Sequence, residues 1–424
     1  MKKEKCCRPW TVFCFFILLE IAAHVSSFRI IESPFRKSRI DHPLGCQKQP
    51  WYSDSNLSRS WSQPNRTNAK YLISQWNKGI VHLSERSGVG PIQSLFLSHS
   101  QLLNFVGNEM LDGVFNENGL KNDNDGMLVW IGEHSSVQYW ILNLPDNYVP
   151  VNVVKEMEVN SSALLLEGIS KVTEISRSES FYPDICSLRE FGDRIPTSHE
   201  AAIHATANGI LEFHRAYRYC SFCGSHTRIQ KAGASRLCIN HISQGGSCQS
   251  RSCYPRIDIA SIMLITSPCG NYALLGRKKQ WPKGRYSTLA GFLEVGETLT
   301  DCCIRETFEE SGVAVEKESV EFVQSQPWPF PRSMMVGFRG RARNSNLTTK
   351  SLEVYNEEES KLPEITVDKK EMEDIRWFHK EFVAKNIKGG STALSYEPTK
   401  EERVFHIPGK SSLARMLIMQ WVGE

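Results

Sequence analysis

The chain has 424 residues, too many for one ordinary compact domain, so two or three are expected. Apolar residues make up 40% and charged residues 23%, a globular composition. A formal net charge of +3 excludes a global polycationic signature, though not a nucleic-acid substrate.

Lys2, Lys3, Lys5 and Arg8 form a basic start, residues 12–19 are an unbroken apolar run, and Ala22, Ala23, Ser26 and Ser27 supply small residues for cleavage. Residues 1–27 therefore read as a signal-like targeting segment, whose apolar run is too short to span a bilayer comfortably. Residues 28–70 are rich in Ser, Arg and Lys and poor in acids, as plastid transit peptides are. Together they resemble the bipartite leaders of proteins sent to secondary plastids. Plain secretion is the alternative, and the Asn-x-Ser/Thr triplets at Asn56, Asn65, Asn160 and Asn346 permit it. No later segment is long and apolar enough to be transmembrane, so no stable membrane partner is expected of the mature form.

Residues 71–197 read as a mixed, β-rich domain. Strands are expected at 94–97, 127–131 and 137–144, separated by Gly and Asp/Asn clusters such as 122–126. Nothing there carries recognisable chemistry. A helix is expected over 198–217, with Ser198 as cap and Ala202, Ile203, Ala207, Ile210 and Leu211 as its apolar stripe.

Five of the thirteen cysteines fall between Cys220 and Cys253. An odd count and a clustered pattern fit a metal site better than a disulfide framework. Cys220-x2-Cys223 followed by Gly224 is half of a zinc ribbon, and Cys238 is the third ligand. Cys248, Cys253 and His241 compete for the fourth place. Cys248 is preferred, because Cys253 sits too close to the start of the next strand. Such a Zn²⁺ is structural, since four protein ligands leave no open position. Residues 198–256 thus form a helix plus zinc ribbon.

Residues 257–424 follow an α/β rhythm. Strands are expected at 262–265, 272–276 and 289–292, a helix at 300–311 stopped by Gly312, and strands at 320–323 and 334–338. A polar, acidic loop at 344–365, a strand at 375–378 and an amphipathic helix at 411–421 complete it. In the helix, Glu306, Glu309 and Glu310 are related by i+3 and i+4, so their carboxylates share one face. Crowded carboxylates repel unless a hard cation such as Mg²⁺ or Mn²⁺ sits among them. Such ions neutralise a pyrophosphate, orient its bridge and acidify a water. Arg305 is placed to pair with Glu297 and brace the preceding loop.

Gly291, Glu297, Arg305-Glu306, Glu309-Glu310 and Gly312 stand at fixed offsets, and together they resemble the Nudix box. One position departs: Thr307 stands where a bulky aliphatic residue is usual, which touches packing rather than ligation. The string Ser325-Gln326-Pro327-Trp328-Pro329-Phe330-Pro331-Arg332-Ser333 is similar to the signature of the NADH pyrophosphatase branch of that family. Its three prolines predict a rigid, extended loop, and Trp328 and Phe330 offer flat faces for a base.

The resemblance covers about residues 200–421. It implies an α+β protein, with a Nudix α/β/α sandwich behind a zinc ribbon and an N-terminal β-rich domain. It implies Mg²⁺ or Mn²⁺ on Glu306, Glu310 and the carbonyl of Ala290, with Glu309 nearby and Glu371 from a later loop. It assigns Tyr254 and, in the closing helix, Ala414 to substrate contact. The implied reaction splits NADH, or a related NAD(P)(H) dinucleotide, into NMNH and AMP, with Glu371 or Glu310 as general base. A homodimer is implied too. Removal of NAD caps from RNA 5′ ends by the same chemistry is one rival. A non-catalytic scaffold is the other, and the intact glutamates count against it.

Overall fold

The structure is a computed structural model. It describes residues 68–75, 78–85, 92–108, 110, 127–134, 137–153, 161–175, 181–242, 248–249, 252–344, 362–387 and 405–423. The leader at 1–27, nearly all of 28–70, the 122–126 cluster, the four Asn-x-Ser/Thr asparagines and most of the 344–365 loop lie outside them.

The first sheet holds β1 (Ala69–Gln75), β2 (Gly79–Glu85), β3 (Gln93–Ser94), β4 (Met127–His134), β5 (Val137–Leu144) and β6 (Phe181–Cys186). Its order is β3-β2-β1-β5-β4, and β6 pairs along β2 from Ile80 to Glu85. Only β1 and β5 run parallel. Helices α1 (His99–Val106) and α2 (Ser161–Thr173) cover one face, where Tyr71, Ile73, Leu102, Phe105, Leu142, Leu165 and Ile169 are buried together. Leu72, Val129, Ile131 and Ile141 point to the other face and meet Ile203 and Ala207 of α3 (Ser198–Ala216). The expected stripe of α3 is therefore its packing face. Its cap, however, is Thr197, whose hydroxyl accepts from the Glu200 N–H at 3.2 Å, so Ser198 is the first helical residue and not the cap.

A two-stranded ribbon, β7 (Thr227–Gln230) and β8 (Ser235–Cys238), links α3 to the second large sheet. That sheet has β9 (Asp258–Thr266), β10 (Tyr272–Arg277), β11 (Leu289–Phe292), β12 (Glu321–Trp328), β13 (Ser333–Arg341) and β14 (Asp374–His379). The order is β12-β13-β9-β10-β14, with β11 also on β9 and only β13 and β9 parallel. Alternation along β9 sends Met263 and Ile265 to one face and Ile262 and Leu264 to the other. Helix α4 (Leu299–Ser311) covers the first face through Cys303. Helices α5 (Lys380–Ile387) and α6 (Leu413–Val422) cover the second through Val383, Leu413, Leu417 and Ile418. Each such aliphatic side chain taken out of water contributes about 1.5–3 kcal/mol before entropy is charged. The result is a three-layer α/β/α sandwich.

The proline-rich segment is not one loop. Ser325–Trp328 continues β12, with Gln326 opposite Met335 and Trp328 opposite Ser333, and only residues 329–332 form a turn. Proline is tolerated there because β12 is an edge strand, where one side of the backbone needs no ladder partner. Among the described residues, no helix is long and apolar enough to cross a membrane.

Candidate active site

Helix α4 is held at both ends by its own sequence. The Thr298 hydroxyl accepts from the Asp301 N–H, and Gly312 closes the helix in the left-handed region at φ 71°. Thr307 is fully buried, and its hydroxyl donates to the Cys303 carbonyl at 2.7 Å. That bond within the helix explains how a threonine fills a place usually aliphatic.

Arg305 organises the acidic face. Its Nε and Nη2 donate to the two carboxylate oxygens of Glu297 at 2.7 and 2.9 Å, a bidentate pair. Its Nη1 donates to Glu306 and to Glu309, each at 2.9 Å, and Nη2 also donates to the Phe292 carbonyl. One guanidinium thus ties the loop after β11 to the helix. Hydrogen bonding to Arg305 holds the Glu297 carboxyl below its ordinary value.

Glu306 and Glu310 face β11. The carboxylate of Glu306 lies where a side chain at Gly291 would begin, so a Cβ there would displace it. Burial raises the Glu306 carboxyl, and the Arg305 guanidinium opposes this. Glu310 is 2% exposed, and its Oε2 has no hydrogen-bond partner. Burial pushes its carboxyl up to about 8, the Lys278 ammonium opposes this, and the charges of Glu306 and Glu371 reinforce it. The backbone of Ala290 hydrogen-bonds Glu310. So Glu306, Glu310, Glu371 and the Ala290 backbone converge, while Glu309 sits outward with 57% of its side chain exposed. A buried carboxylate with an orphaned oxygen beside two more acids is costly unless a cation binds. Hard oxygen donors of this kind suit Mg²⁺ or Mn²⁺.

The proline-rich segment meets the first sheet's layer. The Phe330 ring packs against the cluster around Leu72 and Ile203, and Trp328 meets it edge-on at 5.2 Å between centroids. Arg189 lies over both rings, at 5.9 Å from Trp328 and 5.1 Å from Phe330. Asn208 of α3 donates to the Pro329 carbonyl at 2.7 Å. Pro327 lies opposite Met334 in the strand pair, and Pro331 follows Phe330 in the turn. The Gln326 amide donates to the Ser411 carbonyl and accepts from the Leu413 N–H, fixing the start of α6. Arg332 lies over Tyr217 at 5.2 Å, and Ser333 is buried. Tyr254 is half-exposed and accepts from Lys231 at 2.8 Å, whereas Ala414 is buried in the core under α6.

Several neighbours escaped the sequence reading. Phe292 is 57% exposed beside the acidic face, but it looked like an ordinary end of a strand. Lys278 was one of three consecutive basic residues, with nothing to mark it. Arg189 and Asn208 lie far away in sequence, in a region without motifs, and no local signal identifies them.

The Sγ atoms of Cys220, Cys223, Cys238 and Cys248 all lie within 4.8 Å of one another. Cys220–Cys248 is 3.7 Å and Cys223–Cys238 is 3.5 Å. A tetrahedral Zn²⁺ with Zn–S of about 2.3 Å needs S···S of about 3.8 Å, so the set fits the ion. Gly224 turns the knuckle at φ 71°. Cys253 instead bridges to Arg236 through its backbone, and His241 hydrogen-bonds the Cys248 carbonyl at 2.9 Å.

Comparison with known proteins agrees with this geometry. Residues 256–392 match the NUDIX domain family. A human protein, NAD-capped RNA hydrolase NUDT12, is 35% identical over 223 residues, covering 53% of this chain and 42% of the relative. NAD-capped RNA hydrolase NudC of Mycobacterium bovis is 31% identical, covering 56% of this chain and 67% of the relative. Nudix hydrolase 19, chloroplastic, of Arabidopsis thaliana is 32% identical, covering 53% and 52%. The chain thus spans less than half of the human relative's length.

Proposed function

The chain belongs to the NADH pyrophosphatase branch of the Nudix hydrolases, and on that premise we propose that it hydrolyses the pyrophosphate bond of NADH and related NAD(P)(H) dinucleotides, giving NMNH and AMP from NADH. The observation that carries this is the buried, proton-hungry Glu310 beside Glu306 and Glu371. Mg²⁺ or Mn²⁺ bound there would neutralise the pyrophosphate and make water acidic enough to attack phosphorus. Glu306, Glu310 and Glu371 would hold the ion, and Glu310 or Glu371, ionised beside it, would accept the proton of the attacking water. Arg305 acts on the reaction through Glu297, Glu306 and Glu309, keeping the carboxylates registered with β11. Trp328 offers a face to a base, and Gln326 and Asn208 hold its segment in place.

The same reaction on an NAD cap at an RNA 5′ end is the second reading, favoured by the human and mycobacterial relatives, both NAD-capped RNA hydrolases. Zn²⁺ on Cys220, Cys223, Cys238 and Cys248 has a structural part here. A homodimer and a plastid destination belong to the proposal. The chloroplastic Arabidopsis relative supports the latter. The test is turnover of NADH with Mg²⁺ or Mn²⁺, stopped by a chelator and by Glu310→Gln. Metal-independent turnover, or full activity in Glu310→Gln, would overturn the reading.

A further inference from the structure

We infer that one face of the zinc ribbon is a track for single-stranded RNA that leads into the substrate segment. This rests on the proposed activity, because a capped RNA is then a chain whose 5′ end must enter the site while the rest leaves across the surface.

The track is built by strand alternation. Tyr219 and His226 are directly opposed in an antiparallel bridge, and their rings lie 4.7 Å apart. The Thr227 N–H donates to the Arg218 carbonyl, which continues that register. Two residues beyond His226, Arg228 emerges on the same side of its strand, while Tyr217 caps the C-terminus of α3 with its ring against Phe213. The inward residue Thr227 is buried, whereas His226 and Arg228 on either side of it are exposed. Tyr219 is 60% exposed, and Phe222 at the tip of the knuckle is 77% exposed. At the other end, the Arg332 guanidinium lies over Tyr217, and Arg332 adjoins Ser333 in the substrate segment.

The ribbon thus presents exposed rings beside guanidiniums, and the Arg332–Tyr217 stack joins it to the substrate segment. Exposed aromatic faces bind unstacked bases with little sequence preference, and guanidiniums pair with the phosphates between them. A duplex would hide its base faces, so the fitting partner is single-stranded. Residues 213–257 carry seven Arg and Lys residues and no Asp or Glu, a local excess that the net charge of +3 conceals.

The test uses the full chain and a Tyr219→Ala/Arg228→Ala variant, and neither residue belongs to the candidate active site. Two quantities are measured: binding of a fluorescent 5′-monophosphorylated RNA, and kcat/KM for free NADH beside NAD-capped RNA. The variant is expected to bind RNA about tenfold or more weakly, with a shallower salt dependence. Its kcat/KM on capped RNA should fall in parallel, with that on NADH unchanged. Tyr219→Phe/Arg228→Lys should retain binding, and bound zinc should be unaltered in both. Equal RNA affinity in parent and alanine variant overturns the track, even if NADH is hydrolysed. A parent that binds RNA through these residues but cleaves neither substrate sinks the proposed activity and leaves the track standing.

Discussion

The carboxylate of Glu306 lies where a side chain at position 291 would begin. A methyl group at 291 would push that carboxylate aside, so the glycine is a condition of the acid's position. A displacement of about 1 Å at a reacting centre can cost about 10²-fold in rate. Gly291→Ala should therefore lose about that much kcat with Mg²⁺ while keeping its circular dichroism. Wild-type kcat in Gly291→Ala would show that Glu306 tolerates displacement.

Asn208 and Pro329 join the two sheet layers through one hydrogen bond of 2.7 Å. Asn208→Ala removes an interaction of about 1 kcal/mol, or about fivefold in an equilibrium. If the bond holds the substrate segment ready, KM for NADH rises by about that factor and kcat changes less. Unaltered steady-state kinetics would confine the bond to stability.

The thiols of Cys220, Cys223, Cys238 and Cys248 converge, and Cys253 is engaged elsewhere through its backbone. Cys248→Ser should release zinc and lower the melting temperature, while Cys253→Ser retains the metal. Elemental analysis of the two variants decides between them. Zinc loss from Cys253→Ser and retention by Cys248→Ser would reverse the ligand assignment.

Glu310 makes the stability of the metal-free protein depend on pH with an unusual sign. Its carboxyl is raised by burial from 4.5 to about 8. Within that window the folded protein keeps a proton that the unfolded chain gives up, so this group destabilises the fold as pH rises. Buried His204 and His214 act in the opposite sense. Burial lowers them from 6.5 to about 4 and about 3, so their contribution is lost as pH falls below 6.5. The difference in melting temperature between parent and Glu310→Gln isolates the glutamate. The variant should gain on the parent as pH rises towards 8, and Mg²⁺ should shrink the gap. A pH-independent difference would contradict the burial argument.

The acidic helix was legible because its chemistry is local. Glycine, arginine and glutamates at fixed helical offsets specify a face before any tertiary contact is known. The bounds of β11 and β5 were equally plain, since turn residues bracket apolar runs. Strands β1 and β2 were missed because both faces of their sheet are covered, so no apolar–polar alternation marks Tyr71, Leu72 and Ile73. The extended loop at 325–328 proved to be an edge strand, where Pro327 is tolerated for want of an outer partner. Arg189 and Asn208 reach the proline-rich segment only through tertiary packing, which spacing along one chain cannot encode.

The central claim is that a pyrophosphate bond is broken by water at the Glu306–Glu310 face. Product identification by phosphorus NMR and chromatography, with NADH and Mg²⁺ or Mn²⁺, tests it most directly. NMNH and AMP from the parent, and neither from Glu310→Gln, are the predicted result. Intact NADH under both metals, or cleavage at the nicotinamide–ribose bond instead, would contradict it.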